Sequence, residues 1–347
     1  MTTMRAARFS TATGELSVQD VPVPRPAPGE ALVKVAACGI CHSDLSLLHG
    51  AAPSRLPVIT PGHEASGTIA GLGSPAPGWS EGDRVVVAAG RACGQCGACV
   101  SGAAWDDCRD LRVMAFDYDG AWAEYVVVPV AALTRVPEGI PMEQAAVVAD
   151  AVSTPYAAAV ETARLRPASA VGIWGLGGVG AHLVQIVRLL GAAPVIALDP
   201  LPEARRRALD LGADHALDPM AEDVPRRIRE LTGGNGLDTA FDVVARRTTM
   251  RQARLSLAHR GHLVLVGVST DTVDLGPEAE YAIGRHTVSG HLGYRKRHLE
   301  ELVRLVAHGR LDLSRSVSAV LPLEEIAEGV RRLESKEGNP IRVVIRP

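Results

Sequence analysis

The chain has no apolar run approaching the roughly 20 residues needed to span a bilayer, and Met1–Gly14 holds no hydrophobic block of signal-peptide length. These absences set the expectation of a cytoplasmic protein with no membrane partner, in a compartment where thiols stay reduced. Lysine occurs only at Lys34, Lys296 and Lys336, arginine carries the remaining positive charge, and the net charge is only -3. A field that weak offers no attraction to nucleic acid or to an acidic membrane surface. What remains is the balance of an ordinary globular protein, 47% hydrophobic and 22% charged over 347 residues. That length exceeds what a single growing core supports, so two domains are expected.

The first half reads as β-rich: short apolar runs such as Ala31–Ala37 and Arg84–Ala88 are bounded by Pro and Gly clusters, notably Pro22 to Gly29. The pattern changes near residue 152. From there, four- to six-residue apolar strands alternate with helical periodicity. Val171–Trp174 precedes a helix over Val179–Leu190, Val195–Leu198 precedes one over Glu203–Leu211, and Leu263–Val266 is a further buried strand. Such alternation predicts a parallel sheet with crossover helices. The last fifty residues return to mixed character and end in a strand over Arg342–Ile345.

Gly175-Leu176-Gly177-Gly178-Val179-Gly180 follows the first of these strands and opens its helix. Glycines there permit a tight turn and close approach of a pyrophosphate, whose charge the helix N-terminus favours. A second strand ends at Asp199, nineteen residues after Gly180. A carboxylate at that point accepts both adenosine ribose hydroxyls and repels a 2′-phosphate, which predicts NAD rather than NADP. The bland alternatives are a ligand-free turn and a surface acid.

Of the six cysteines, Cys93, Cys96, Cys99 and Cys108 crowd into sixteen residues. Four thiolates in one loop match a closed structural zinc site, against the alternative of free buried thiols. Two further segments supply ligand chemistry: Cys38-Gly39-Ile40-Cys41-His42-Ser43-Asp44 and Gly62-His63-Glu64. Cys38 itself reads as a small core residue. A catalytic zinc takes three protein ligands and leaves one position open.

These two runs, the four-cysteine lobe, the glycine fingerprint and the closing Ile341-Arg342-Val343-Val344, in that combination, resemble the zinc-containing medium-chain dehydrogenases over essentially the whole chain. The resemblance implies a GroES-like catalytic domain over 1–152 and 293–347, with a Rossmann domain over 153–292 inserted in it. It implies two zinc ions per chain and NAD. Cys41 and His63 would be catalytic zinc ligands with Glu64 a carboxylate close beside them, Ser43 would hydrogen-bond the substrate oxygen, and Asp44 would support a ligand. Thr154 and Val268 would lie against the nicotinamide, and His42 and Arg342 would contact the cofactor phosphates.

The chain departs from the family pattern in places. Relatives often have cysteine as the third zinc ligand four residues before the threonine; Asp150 stands there. Asp150 can ligate zinc itself; the rival arrangement makes it a supporting group and Glu64 the third ligand. Ser46 occupies the place of a frequent proton-relay histidine, leaving water or His49 to carry the proton. The spacing from Cys99 to Cys108 is one residue longer than usual. Small residues at Ala89 and Ser43 hint at a roomy pocket for secondary, aromatic or cyclic alcohols. The resemblance also implies a homo-oligomer, a tetramer ahead of a dimer. Competing readings are a polyol or sugar dehydrogenase of the same family, a zinc-free quinone or enoyl reductase, and a non-catalytic cofactor-binding protein.

Overall fold

The computed structural model describes residues 2–102, 107–221, 223–273 and 275–347. They form two compact units, one comprising Met1–Ala151 and Arg295–Pro347, the other Val152–Tyr294. Among the described residues, no helix is long and apolar enough to cross a membrane.

The first unit is built on a seven-stranded sheet in the order Leu133–Arg135, Arg84–Val87, Glu64–Leu72, Glu30–Ile40, Arg342–Arg346, Val317–Pro322, with Tyr125–Pro129 also paired to Glu30–Ile40. A three-stranded sheet of Leu16–Pro22, Thr3–Ser10 and Val58–Ile59 accompanies it. Glu30–Ile40 organises the unit. Its first half alternates, with Ala31, Val33 and Val35 buried, as a strand with one wet face does. Its second half, Ala37 to Ile40, is buried throughout and pairs with a strand on each side. Val343 opposite Ile40 brings in the C-terminal strand, and Glu64 sits opposite Gly39. That register delivers the segment after Ile40 to the same place as His63 and Glu64. It also requires Gly39, since a Cβ there would lie 2.0 Å from Glu64 Oε2.

The second unit is a six-stranded, wholly parallel sheet in the order His215–Leu217, Val195–Leu198, Val171–Trp174, Leu237–Asp242, Leu257–Leu265, Thr287–Gly290. Val171–Trp174 and Val195–Leu198 are buried throughout, as central parallel strands covered on both faces must be. The order reverses between Val171–Trp174 and Leu237–Asp242, the switch point at which such sheets bind ligands. The architecture is α/β, a β-rich unit together with a doubly wound parallel-sheet unit.

Element boundaries differ from the sequence expectation in small ways. The helices run Gly178–Leu189 and Pro202–Asp210. Frayed ends explain shifts of one residue. The strand expected at Leu263–Val266 is Leu257–Leu265, whose middle residues His259 and Arg260 are exposed and so carry no apolar signal. His215–Leu217, Leu237–Asp242 and Thr287–Gly290 complete the sheet although they are short or interrupted by polar residues, and no apolar run marks them.

Candidate metal centres and dinucleotide turn

Cys41 ends the approach to a short helix, His42–Leu48, whose first turn carries Ser43 and Asp44. Asp44 is fully buried, and its carboxylate accepts hydrogen bonds from the Cys41 N–H at 2.8 Å and the Gly62 N–H at 3.3 Å. One carboxylate thus ties together the two segments that carry Cys41 and His63. Its Oδ1 also lies 3.3 Å from His63 Nδ1, the placement by which a carboxylate orients an imidazole.

Asp150 arrives from elsewhere in the unit. It lies in a π-helical turn, Val148–Val152, a distortion often found at functional sites. Its Oδ2 lies 3.4 Å from Cys41 Sγ and 3.6 Å from His63 Nε2. Ligand atoms of Cys41, His63, Glu64 and Asp150 fall within 4.8 Å of one another, the first three residues buried. One sulfur, one nitrogen and carboxylate oxygens form a donor set suited to zinc. Both Glu64 oxygens are buried without a hydrogen bond, although Arg342 Nη2 stands 2.8 Å from Oε1.

The electrostatics follow from this crowding. Burial alone would push the His63 pKa down; Asp44 and Asp150 override it, and the net result is well above the ordinary imidazole value. Burial drives the Glu64 carboxyl up to about 8, against the pull of Arg342 and with added repulsion from Asp150. Glu64 therefore resists carrying its charge bare, a condition that a divalent cation relieves. Ser43 Oγ lies 3.2 Å from His63 Nε2, at the edge of the ligand cluster.

The second centre is the lobe. Sγ atoms of Cys96 and Cys99 are 3.5 Å apart, those of Cys96 and Cys108 3.8 Å, and those of Cys93 and Cys99 3.9 Å. A disulfide needs about 2.0 Å. Four sulfurs at about 2.3 Å from a tetrahedral zinc sit about 3.8 Å from each other. Backbone N–H groups of Cys93 and Cys96 donate to the sulfurs of Cys108 and Cys93. Backbone N–H groups of Cys99 and Arg109 bring the Cys96 thiol down to about 6, while desolvation and the neighbouring Cys96 push Cys99 up to about 12. Part of the lengthened stretch between Cys99 and Cys108, residues 103–106, lies outside the described residues.

In the second unit, Gly175 has a φ of +91°, and a Cβ on Gly180 would sit 1.8 Å from the Gly175 carbonyl oxygen. Around Gly177 the situation is opposite: a Cβ there would meet nothing within 4 Å. The turn thus closes tightly at both ends and leaves open space over the N-terminus of the helix that carries Gly178, Val179 and Gly180. Asp199 accepts from the N–H groups of Leu176 and Leu201, each at 2.9 Å. Two backbone donors fix the carboxylate and leave lone pairs for further hydroxyls.

The remaining expected residues are placed as follows. Thr154 is nearly buried, and its carbonyl oxygen lies 3.1 Å from His291 Nε2. Val268 is 80% exposed. His42 opens the short helix, and desolvation with the nearby cations Lys336 and Arg342 lowers its pKa. Arg342 is 3% exposed, donates to the Ile40 carbonyl at 3.1 Å and pairs with Glu64. Ser46 Oγ donates to the His42 carbonyl, and His49 Nε2 lies 2.7 Å from Glu334. Cys38 is fully buried. Sequence reasoning missed the Arg342–Glu64 pair and the hydrogen bond from Arg207 Nη2 to the Leu176 carbonyl at 2.7 Å; neither carries a local signal.

Comparison with known proteins identifies the family. The family model described as alcohol dehydrogenase GroES-like domain matches residues 27–138, and that described as zinc-binding dehydrogenase matches residues 178–308. The chain is 31% identical over 347 residues to an alcohol dehydrogenase of Geobacillus stearothermophilus, covering 99% of each. It is 32% identical over 303 residues to L-threonine 3-dehydrogenase of Pyrococcus horikoshii, covering 85% of this chain and 84% of that one. A solved NAD-dependent alcohol dehydrogenase superposes with a TM-score of 0.90 at 31% identity, over 99% of this chain and 100% of that one. Fold and site together define a zinc-type oxidoreductase. The chain belongs to the zinc-dependent medium-chain alcohol dehydrogenase family.

Proposed function

We propose that the chain moves a hydride between an alcohol and NAD, yielding an aldehyde or ketone, and runs the reverse reaction with the same residues. The observation that carries this reading is the position of Asp150 Oδ2, 3.4 Å from Cys41 Sγ and 3.6 Å from His63 Nε2. Those are the separations of atoms that share one small cation at about 2.0–2.3 Å. Cys41, His63 and Asp150 would hold the catalytic zinc, and Cys93, Cys96, Cys99 and Cys108 the structural one. Glu64, engaged by Arg342, acts beside the first site rather than as its third ligand.

When bound, the zinc supplies Lewis acidity toward a hydroxyl or carbonyl oxygen. Ser43 Oγ takes the substrate hydroxyl proton and passes it to water, since Ser46 and His49 are engaged elsewhere. Asp44 keeps the His63 ring in its orientation. Gly175, Leu176, Gly177, Gly178, Val179 and Gly180 cradle the pyrophosphate, and Asp199 takes the adenosine ribose and selects NAD. Thr154 and Val268 would meet the nicotinamide, and His42 and Arg342 are the candidates for the phosphates. The small side chains of Ala89 and Ser43 favour secondary, aromatic or cyclic alcohols. We place the protein in the cytoplasm as a homo-oligomer, a tetramer ahead of a dimer.

Structural relatives include a 2R,3R-butanediol dehydrogenase, so a polyol or sugar dehydrogenase of the same family is the second reading. A panel of secondary alcohols, polyols and hydroxyamino acids with NAD and NADP separates the two. Metal analysis tests the core of the proposal: wild type should hold two zinc ions per chain and Asp150→Ala one, with activity lost. Two zinc ions retained in Asp150→Ala would remove Asp150 from the ligand set.

A further inference from the structure

The glycine-rich turn is held by side chains from outside it. Leu176 is fully buried between Gly175 and Gly177, and both of its backbone polar groups are engaged by charged residues. Its N–H donates to Asp199 Oδ2 at 2.9 Å, and its carbonyl accepts from Arg207 Nη2 at 2.7 Å. Arg207 belongs to the next helix, Pro202–Asp210. Asp199 is in turn fixed by Arg205, which donates to the Asp199 and Pro200 carbonyls at 2.7 and 2.9 Å and pairs with Asp218.

We propose that Arg207 is a positioning residue for dinucleotide binding, acting by locking the Leu176–Gly177 peptide in one orientation. This rests on the reading of the turn as a pyrophosphate cradle. Glycine on both sides of Leu176 leaves the peptide little intrinsic preference. In a trans peptide the carbonyl and the following N–H point in opposite directions. A Leu176 carbonyl held on Arg207 therefore sends the Gly177 N–H the other way, available to an anion. A flipped peptide would present a carbonyl oxygen to the phosphates and withdraw that donor. Both bonds on Leu176 involve an ionised partner, which makes them stronger than neutral ones. The clamp puts the ordering cost of a glycine-rich loop into the cofactor-free fold, so binding does not bear it.

The neighbouring Arg206 supplies a control. It is exposed, on the same helix, and pairs with Glu203. The experiment measures NADH and ADP-ribose dissociation constants by fluorescence and calorimetry, with thermal melting of the cofactor-free protein. Arg207→Met should weaken both ligands roughly tenfold, the effect of losing one charge-assisted hydrogen bond. Arg207→Lys, which keeps a donor, should recover most of that loss, and Arg206→Met should bind as wild type. Wild-type affinity in Arg207→Met would overturn the proposal. So would equal weakening in the Met and Lys variants alongside a lowered melting temperature, the mark of a role in folding alone. Wild type that binds neither ligand would overturn the cofactor reading and the clamp with it, whereas a failing clamp with normal wild-type binding leaves that reading intact.

Discussion

The two clusters of metal-binding side chains in the first unit are built in opposite ways. The lobe takes four identical thiols from one loop, largely half-buried, with backbone N–H groups as supporting donors. The Cys41, His63, Glu64 and Asp150 cluster draws mixed donors from three separate segments into burial, and supports them with the side chains of Asp44 and Arg342. A saturated set of thiolates has no position left for a substrate, which suits a structural ion. A mixed, buried set with a hydroxyl at its edge suits chemistry. The proposed assignment gives stability to one set of ligands and reactivity to the other.

Cys41→Ala puts that division of labour under the greatest strain. It should lower turnover by about a thousandfold or more, because the Lewis acid is lost with its ligand. Metal analysis should read one zinc instead of two, with the fold kept by circular dichroism. Normal turnover would end the assignment of this cluster as the catalytic one. Cys96→Ala should do the reverse. The lobe should lose its zinc and the protein several kcal/mol of stability, since a metal that holds a loop contributes its binding energy to folding. Turnover measured well below the new melting temperature should stay within about threefold; an immediate collapse of activity would join the two centres in function. The smallest effect is expected where side chains support the ligands. Asp44→Asn keeps the shape but weakens the grip on Cys41 and His63, and zinc affinity at that site should fall about 10- to 100-fold. Competition with a chelator measures it. Unchanged affinity would show that the strand register alone orients His63.

Much of this architecture is legible in the residue order. The four-cysteine spacing and the glycine turn with Asp199 are local patterns. Their geometry follows from a few consecutive residues, and the structure shows the sulfurs at tetrahedral spacing and the carboxylate beside the turn. The strands Val171–Trp174 and Val195–Leu198 are equally readable, because buried parallel strands are continuous apolar runs. Polar or short strands such as Leu237–Asp242 are not, since their partners on either side supply the burial that their own sequence does not advertise.

The residue types, their local spacing and the resemblance they carry suffice for the two-part α/β layout, the zinc and NAD cofactors and the family. They do not suffice to say which carboxylate stands between Cys41 and His63, that Glu64 pairs with Arg342, or that Arg207 donates to the Leu176 carbonyl; those are properties of the folded chain. The physical reason is range. Spacing within a loop or a strand–turn–helix is set by covalent geometry over a few residues. The meeting of Asp150 with Cys41, or of Arg342 with Glu64, depends on the register of Glu30–Ile40 against its neighbours and on a π-helical turn that no local propensity announces.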